Sequence, residues 1–141
     1  MKVMFKKDSE YVILPVAPHI NLVERQVTDE EFETADGKIL LLLGNKGLRS
    51  FAIDSFFPSK IYPWAEIGSV PIPRTYIDFF EKYLEEKEII RVIIISKYKV
   101  VLNMECRYNF QYGITDRAGD VPYSLDVIEY IRPEQEEKNG I

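Results

Sequence analysis

The 141 residues hold one cysteine, Cys106, one histidine, His19, and one tryptophan, Trp64. A lone cysteine excludes an internal disulfide, and one His with one Cys cannot make a zinc site of the usual kind. Glycine is sparse, and the Gly44-Asn45-Lys46-Gly47 stretch has no helix after it to hold a phosphate. The longest apolar runs, residues 39–43 and 92–95, fall far short of the ~20 residues a membrane span needs. No membrane partner is expected. The first seven residues lack an apolar signal core and a small-residue cleavage site. Positive charge is in deficit as well: 18 Lys+Arg against 23 Asp+Glu leave a net charge of −5. Nucleic-acid binding as the main activity would need a basic face, which this balance argues against.

What is present is globular. Hydrophobic residues make up 46% and charged residues 29%, so a packed core is available and bulk disorder is excluded. At this length one core is the default, since about 70% of the unfolded surface can be buried in it. The expected organisation is a single β-rich domain over residues 1–133 and a polar tail over 134–141. Nine Tyr, eight Phe and the one Trp give 13% aromatics, a composition suited to strands and interfaces.

Periodicity predicts strands at residues 11–16, 20–27, 38–43, 49–57, 89–96, 99–112 and 121–131. Residues 24–36 carry six acids against Arg25 and read as a loop or exposed ribbon. Four prolines between Pro58 and Pro73 mark a connector with its own packing. The one convincing helix spans residues 73–87, where Tyr76, Phe79, Phe80, Tyr83 and Leu84 form an apolar stripe. The run at 89–95 is apolar enough to predict a strand buried on both faces. Strands outnumber helices by about seven to one, which predicts an α+β, mostly β fold. An antiparallel β-sandwich or partly closed barrel with one packed α-helix fits best.

No residue pattern announces chemistry. His19, between Pro18 and Ile20, has no Ser or Cys placed near it in sequence and reads as a turn residue. Cys106 lies in a predicted strand and reads as a small buried hydrophobe. The acids Asp29, Glu30, Glu31 and Glu33 lack the glycine and alternating oxygen ligands of a calcium loop. Twenty-three acids guarantee some neighbours, yet their spacing singles out no glycosidase pair. No catalytic residue, cofactor or metal is expected. The most distinctive segment is Ser55-Phe56-Phe57-Pro58, because adjacent strand residues point to opposite faces. One Phe enters the core, and the other needs cover from the Trp64 region or from another subunit.

Residues 50–62 (SFAIDSFFPSKIY), 72–83 (IPRTYIDFFEKY), 89–105 (IIRVIIISKYKVVLNME) and 119–133 (GDVPYSLDVIEYIRP) follow one order, preceded by Leu14-Pro15-Val16. In that order the chain resembles the N-terminal domain of LysM-containing tail proteins of contractile phages and phage-like bacteriocins. No LysM module follows within these residues, so contacts the family draws from it are not expected here. The resemblance implies a structural protein of the virion tail or of a phage-like particle, made in the bacterial cytoplasm. It further implies a tail-tube-like fold and self-assembly into rings, usually of six, next to tail-tube and baseplate-hub proteins. DNA would at most pass through the channel. Phe56, Phe57, Trp64, Asp29, Glu30, Glu31 and Glu33 are the candidate assembly contacts. The acids would meet Lys6, Lys7 or Arg74 of an adjacent subunit, or face the channel. The alternatives are a tail assembly chaperone or adaptor, and a tail-associated cell-wall hydrolase.

Overall fold

A computed structural model of the chain describes residues 1–18, 20, 24–27, 30–42 and 46–133. The elements in chain order are β1 (Lys2–Lys7), β2 (Glu10–Ile13), β3 (Glu24–Val27), β4 (Glu30–Glu33) and β5 (Ile39–Leu42). They continue with β6 (Lys46–Phe57), α1 (Pro73–Glu85), β7 (Ile90–Ser96), β8 (Lys99–Tyr112) and β9 (Val121–Glu129). Strands hold 47% of the residues, and the described residues include one helix. The main sheet is antiparallel and open, in the order β2-β1-β7-β8-β9-β6-β3, while β4 and β5 form a separate pair.

One face of the main sheet makes the core. Val3 and Phe5, Ile90, Val92 and Ile94, Leu102, Met104, Cys106 and Tyr108, and Val121, Tyr123, Leu125 and Val127 alternate inward along β1, β7, β8 and β9. Period-two patterning puts all of them on one side. The helix covers this face with Tyr76, Ile77, Phe79, Phe80 and Tyr83. Phe80 meets Phe5 and Tyr108 edge-on, at ring separations of 5.1 and 5.5 Å. Burying such a ring contributes roughly 2–3 kcal/mol. Pro73 starts the helix, where its missing N–H costs nothing. At the other end, Glu88 N–H donates to Tyr83 O and Lys87 N–H to Leu84 O, with Lys87 at φ 56°. That is a Schellman stop with lysine in the usual glycine position.

The longest strand, β8, serves two halves of the sheet. Its residues 99–106 pair with β7 and its residues 106–112 pair with β9, so the two halves overlap at Cys106.

One expectation needs correction. The strand at 89–95 is not buried on both faces: Ile90, Val92 and Ile94 are buried, while Ile93 and Ile95 are half-exposed on the outer face. Among the described residues one layer covers this strand, and the outer isoleucines are sheltered by neighbours such as Met4, opposite Ile93. Within 24–36, expected as a loop or exposed ribbon, the described residues contribute β3 and β4. Residues 2–7 form β1, a strand that periodicity did not reveal.

The hairpin joining β7 to β8 is strained. Ser96 pairs with Lys99, leaving Lys97 and Tyr98 as a two-residue turn with φ of 51° and 66°. Two positive φ values define the turn that Asn-Gly fills most easily, and neither residue here is of that kind. Lys97→Asn with Tyr98→Gly is therefore expected to stabilise the fold by about 1–2 kcal/mol. A rise of the thermal midpoint by a few degrees would show it, and an unchanged or lower midpoint would refute the turn assignment.

Candidate functional site

The adjacent phenylalanines at the end of β6 part company. Phe57 is wholly buried, its ring stacked between Tyr123 at 3.9 Å and Tyr76 at 4.9 Å. Phe57 is thus a core residue and not a surface contact, which corrects its place among the candidate assembly contacts. The inward position of an alternating strand gives it no path to a second subunit. Phe56 points outward, half-buried, and meets Trp64 of the connector edge-on at 6.0 Å. Trp64 in turn stacks on Tyr62 at 4.7 Å, and Lys60 lies 5.8 Å from the centre of the Tyr62 ring.

This aromatic cluster is held by a buried carboxylate. Asp120 accepts hydrogen bonds from Ser59 N–H at 2.9 Å and from the Tyr62 hydroxyl at 2.9 Å, with the Ser59 hydroxyl 3.3 Å away. The loop before it is closed by Asp116, whose carboxylate accepts from the N–H groups of Ala118 and Asp120. Gly119 sits at φ 88°, and a Cβ there would lie 2.6 Å from Ser59 Oγ, so only glycine allows this approach. Further along, Glu66 N–H donates to Pro15 O, Val70 N–H to the Tyr76 hydroxyl, and that hydroxyl to Ile13 O. The proline connector is pinned at both ends.

Pinned this way, it presents apolar side chains to solvent. Ile61 and Ile67 are each 85% exposed, and Trp64 and Ile72 each 53%. Ile61 and Ile67 also line an open cavity of about 210 Å³, together with Pro15, Pro58, Tyr62 and Pro71, among others.

Burial alone would raise the Asp120 carboxyl. The donations from Ser59 and Tyr62, with the charge of Lys60 nearby, outweigh it and hold the group below its ordinary value. A depressed folded value makes its stabilisation complete above the unfolded aspartate value of about 4. The contribution is lost as pH falls through the lower folded value. Asp120→Asn is expected to lower the thermal midpoint at neutral pH and to flatten its fall on acidification. Melting curves from neutral to acid pH check this, and parallel curves for both proteins would contradict it.

The remaining candidates lie elsewhere. Asp29 and His19 fall outside the described residues. Glu30, Glu31 and Glu33 belong to β4, paired with β5, where Glu31 and Glu33 are exposed. The structure thus brings together Phe56 and Trp64, and leaves the acids on a separate ribbon. Lys7 and Arg74, expected to meet these acids across subunits, have partners at home: Lys7 with Glu88 at 3.1 Å and Arg74 with Asp78 at 2.9 Å.

Cys106 is buried, and desolvation pushes its thiol up to about 12, leaving it protonated and unreactive. Among the described residues, no three of His, Cys, Asp and Glu gather as a metal group, and no helix is long and apolar enough to cross a membrane. Sequence reasoning missed the Asp120–Ser59–Tyr62 lock, which joins positions about sixty residues apart. Its local half, Asp116 through Gly119 to Asp120, is a turn signal that could have been read. No protein-family model matches the chain, and no curated protein matches it either.

Proposed function

We propose that this chain is a structural component of a contractile tail, a ring-forming subunit that connects the tail tube to the baseplate hub. The observation that carries this reading is the connector, an apolar and aromatic surface held in place by buried hydrogen bonds. A monomer has no use for Ile61, Trp64, Ile67 and Ile72 in water, whereas a subunit can bury them against a neighbour. Phe56, beneath Trp64, extends the same patch. In this reading β8 is the corner of a tail-tube-like antiparallel sandwich or partly closed barrel. Its first half belongs to the β2-β1-β7 side and its second half to the β9-β6-β3 side. The order of the segments quoted above supports the same assignment by resemblance.

Quantitative mass spectrometry of purified particles tests it. Several copies per particle, near six, are expected. Presence in the producing cell but absence from the finished particle would instead fit an assembly chaperone. Clearing of a peptidoglycan suspension by the purified protein would contradict a purely structural role.

A further inference from the structure

We propose that the β7–β8 hairpin tip, Lys97-Tyr98-Lys99, docks on the acidic β4 ribbon of a second copy of this chain, with Lys97 and Lys99 facing Glu31 and Glu33. This rests on the ring reading and names one contact that builds the ring.

The tip has the makings of an insertion element. Tyr98 is wholly exposed, and Val100 and Val101 are each 59% exposed. Both turn residues stand at positive φ without glycine or asparagine. Strain of this kind persists where a side chain serves a purpose that an easier residue would not. A bulge between Ile94 and Ile95 shifts the register beside the turn, and such bulges re-aim a strand end.

Charge selects the occupant. Between Ser96 and Met104 the chain has two lysines and no acid, a local excess of positive charge on an acidic protein. The complementary excess lies on β4, where Glu31 and Glu33 share one face about 7 Å apart. Both lysines are exposed at the hairpin end and both glutamates are exposed on β4, so the two patches are opposite in charge. Among the described residues, no ion pair holds Lys97, Lys99, Glu31 or Glu33. By contrast, Arg49 and Arg91 of the sheet, and Arg132 just after it, pair with Glu129 and Glu105. Tip and ribbon are different patches of one surface, so their contact is head-to-tail. An open chain of copies then keeps one free tip at one end and one free ribbon at the other until a ring closes.

Sedimentation velocity of the purified full chain over a concentration series, in low and high salt, tests this. The wild type is expected to associate, and more weakly in high salt. Lys97→Glu with Lys99→Glu should weaken association roughly tenfold or more, and so should Glu31→Lys with Glu33→Lys. Combining the four swaps should restore it. Lys97→Asn with Tyr98→Gly relieves the turn, so its expected loss of association cannot come from misfolding.

Wild-type association unchanged in the tip variants would overturn the inference and leave the ring reading standing. An effect of the tip swaps without an effect of the β4 swaps, or without recovery in the combination, would overturn β4 as the partner. Tip-dependent binding to phosphatidylserine vesicles with unaltered self-association would assign the tip to a lipid surface and refute docking. A wild type monomeric at every concentration would defeat the ring reading itself, and this contact with it.

Discussion

Phe57→Ala is expected to cost about 3–5 kcal/mol, while Phe56→Ala, one residue earlier, costs about 1 kcal/mol or less. Phe57 is wholly buried and stacked on two rings, Tyr76 from the helix and Tyr123 from β9. Removing it leaves a cavity that rigid neighbours cannot collapse into, and it loses two aromatic contacts as well. The outward Phe56 touches Trp64 at the surface, where water fills the space it vacates. Chemical denaturation of both variants measures the difference. Equal losses would mean that both rings are in the core, contrary to the alternation of β6. The same pair separates stability from the proposed assembly, because Phe56→Ala is expected to leave a folded protein with an altered connector patch.

Val92→Asp should abolish folding, whereas Ile93→Asp should leave a folded protein. Val92 is completely buried and faces Phe5 and Met104 across its neighbouring strands. A carboxylate there has neither water nor a cation, and the penalty of several kcal/mol consumes most of a total stability of ~5–15 kcal/mol. Ile93 lies on the outer face opposite Asn103, with Arg91 two residues before it on the same side. An aspartate at that position reaches solvent. Circular dichroism and cooperative melting distinguish the two. A folded Val92→Asp protein, or an unfolded Ile93→Asp one, would reverse the assigned faces.

This contrast also marks what the residues alone could tell. The run Ile93-Ile94-Ile95 reads as a strand from composition, but its apolar excess does not say whether a second layer covers the outer face. Here Met4 shelters Ile93 only in part. The helix was legible because its aromatic stripe repeats at helical spacing and Pro73 opens it. Strand β1 was hidden, since lysines at its ends mask the alternation of Val3 and Phe5, and its main partner is the distant β7. The split of Phe56 from Phe57 followed from alternation, but which of the two turns inward depends on long-range pairing with β9. The Asp120 lock was invisible for the same reason: a carboxylate at the end of a polar loop gains its meaning only when Ser59 and Tyr62 arrive from the connector.

The exposed tip and the exposed connector give the subunit two unlike surfaces. The basic tip suits head-to-tail closure rather than a two-fold contact, because like charges do not pair with themselves. Salt should weaken the charged contact of the tip and leave the apolar connector contact intact. The two are therefore separable in a single titration.

Cryo-electron microscopy of the intact particle containing this chain tests the ring assignment most directly. The account predicts a closed ring of identical subunits at the junction of tail tube and baseplate, with Ile61, Trp64 and Ile67 covered by neighbouring protein. Density for a single copy, for none, or for a ring that leaves these side chains in open solvent would contradict it.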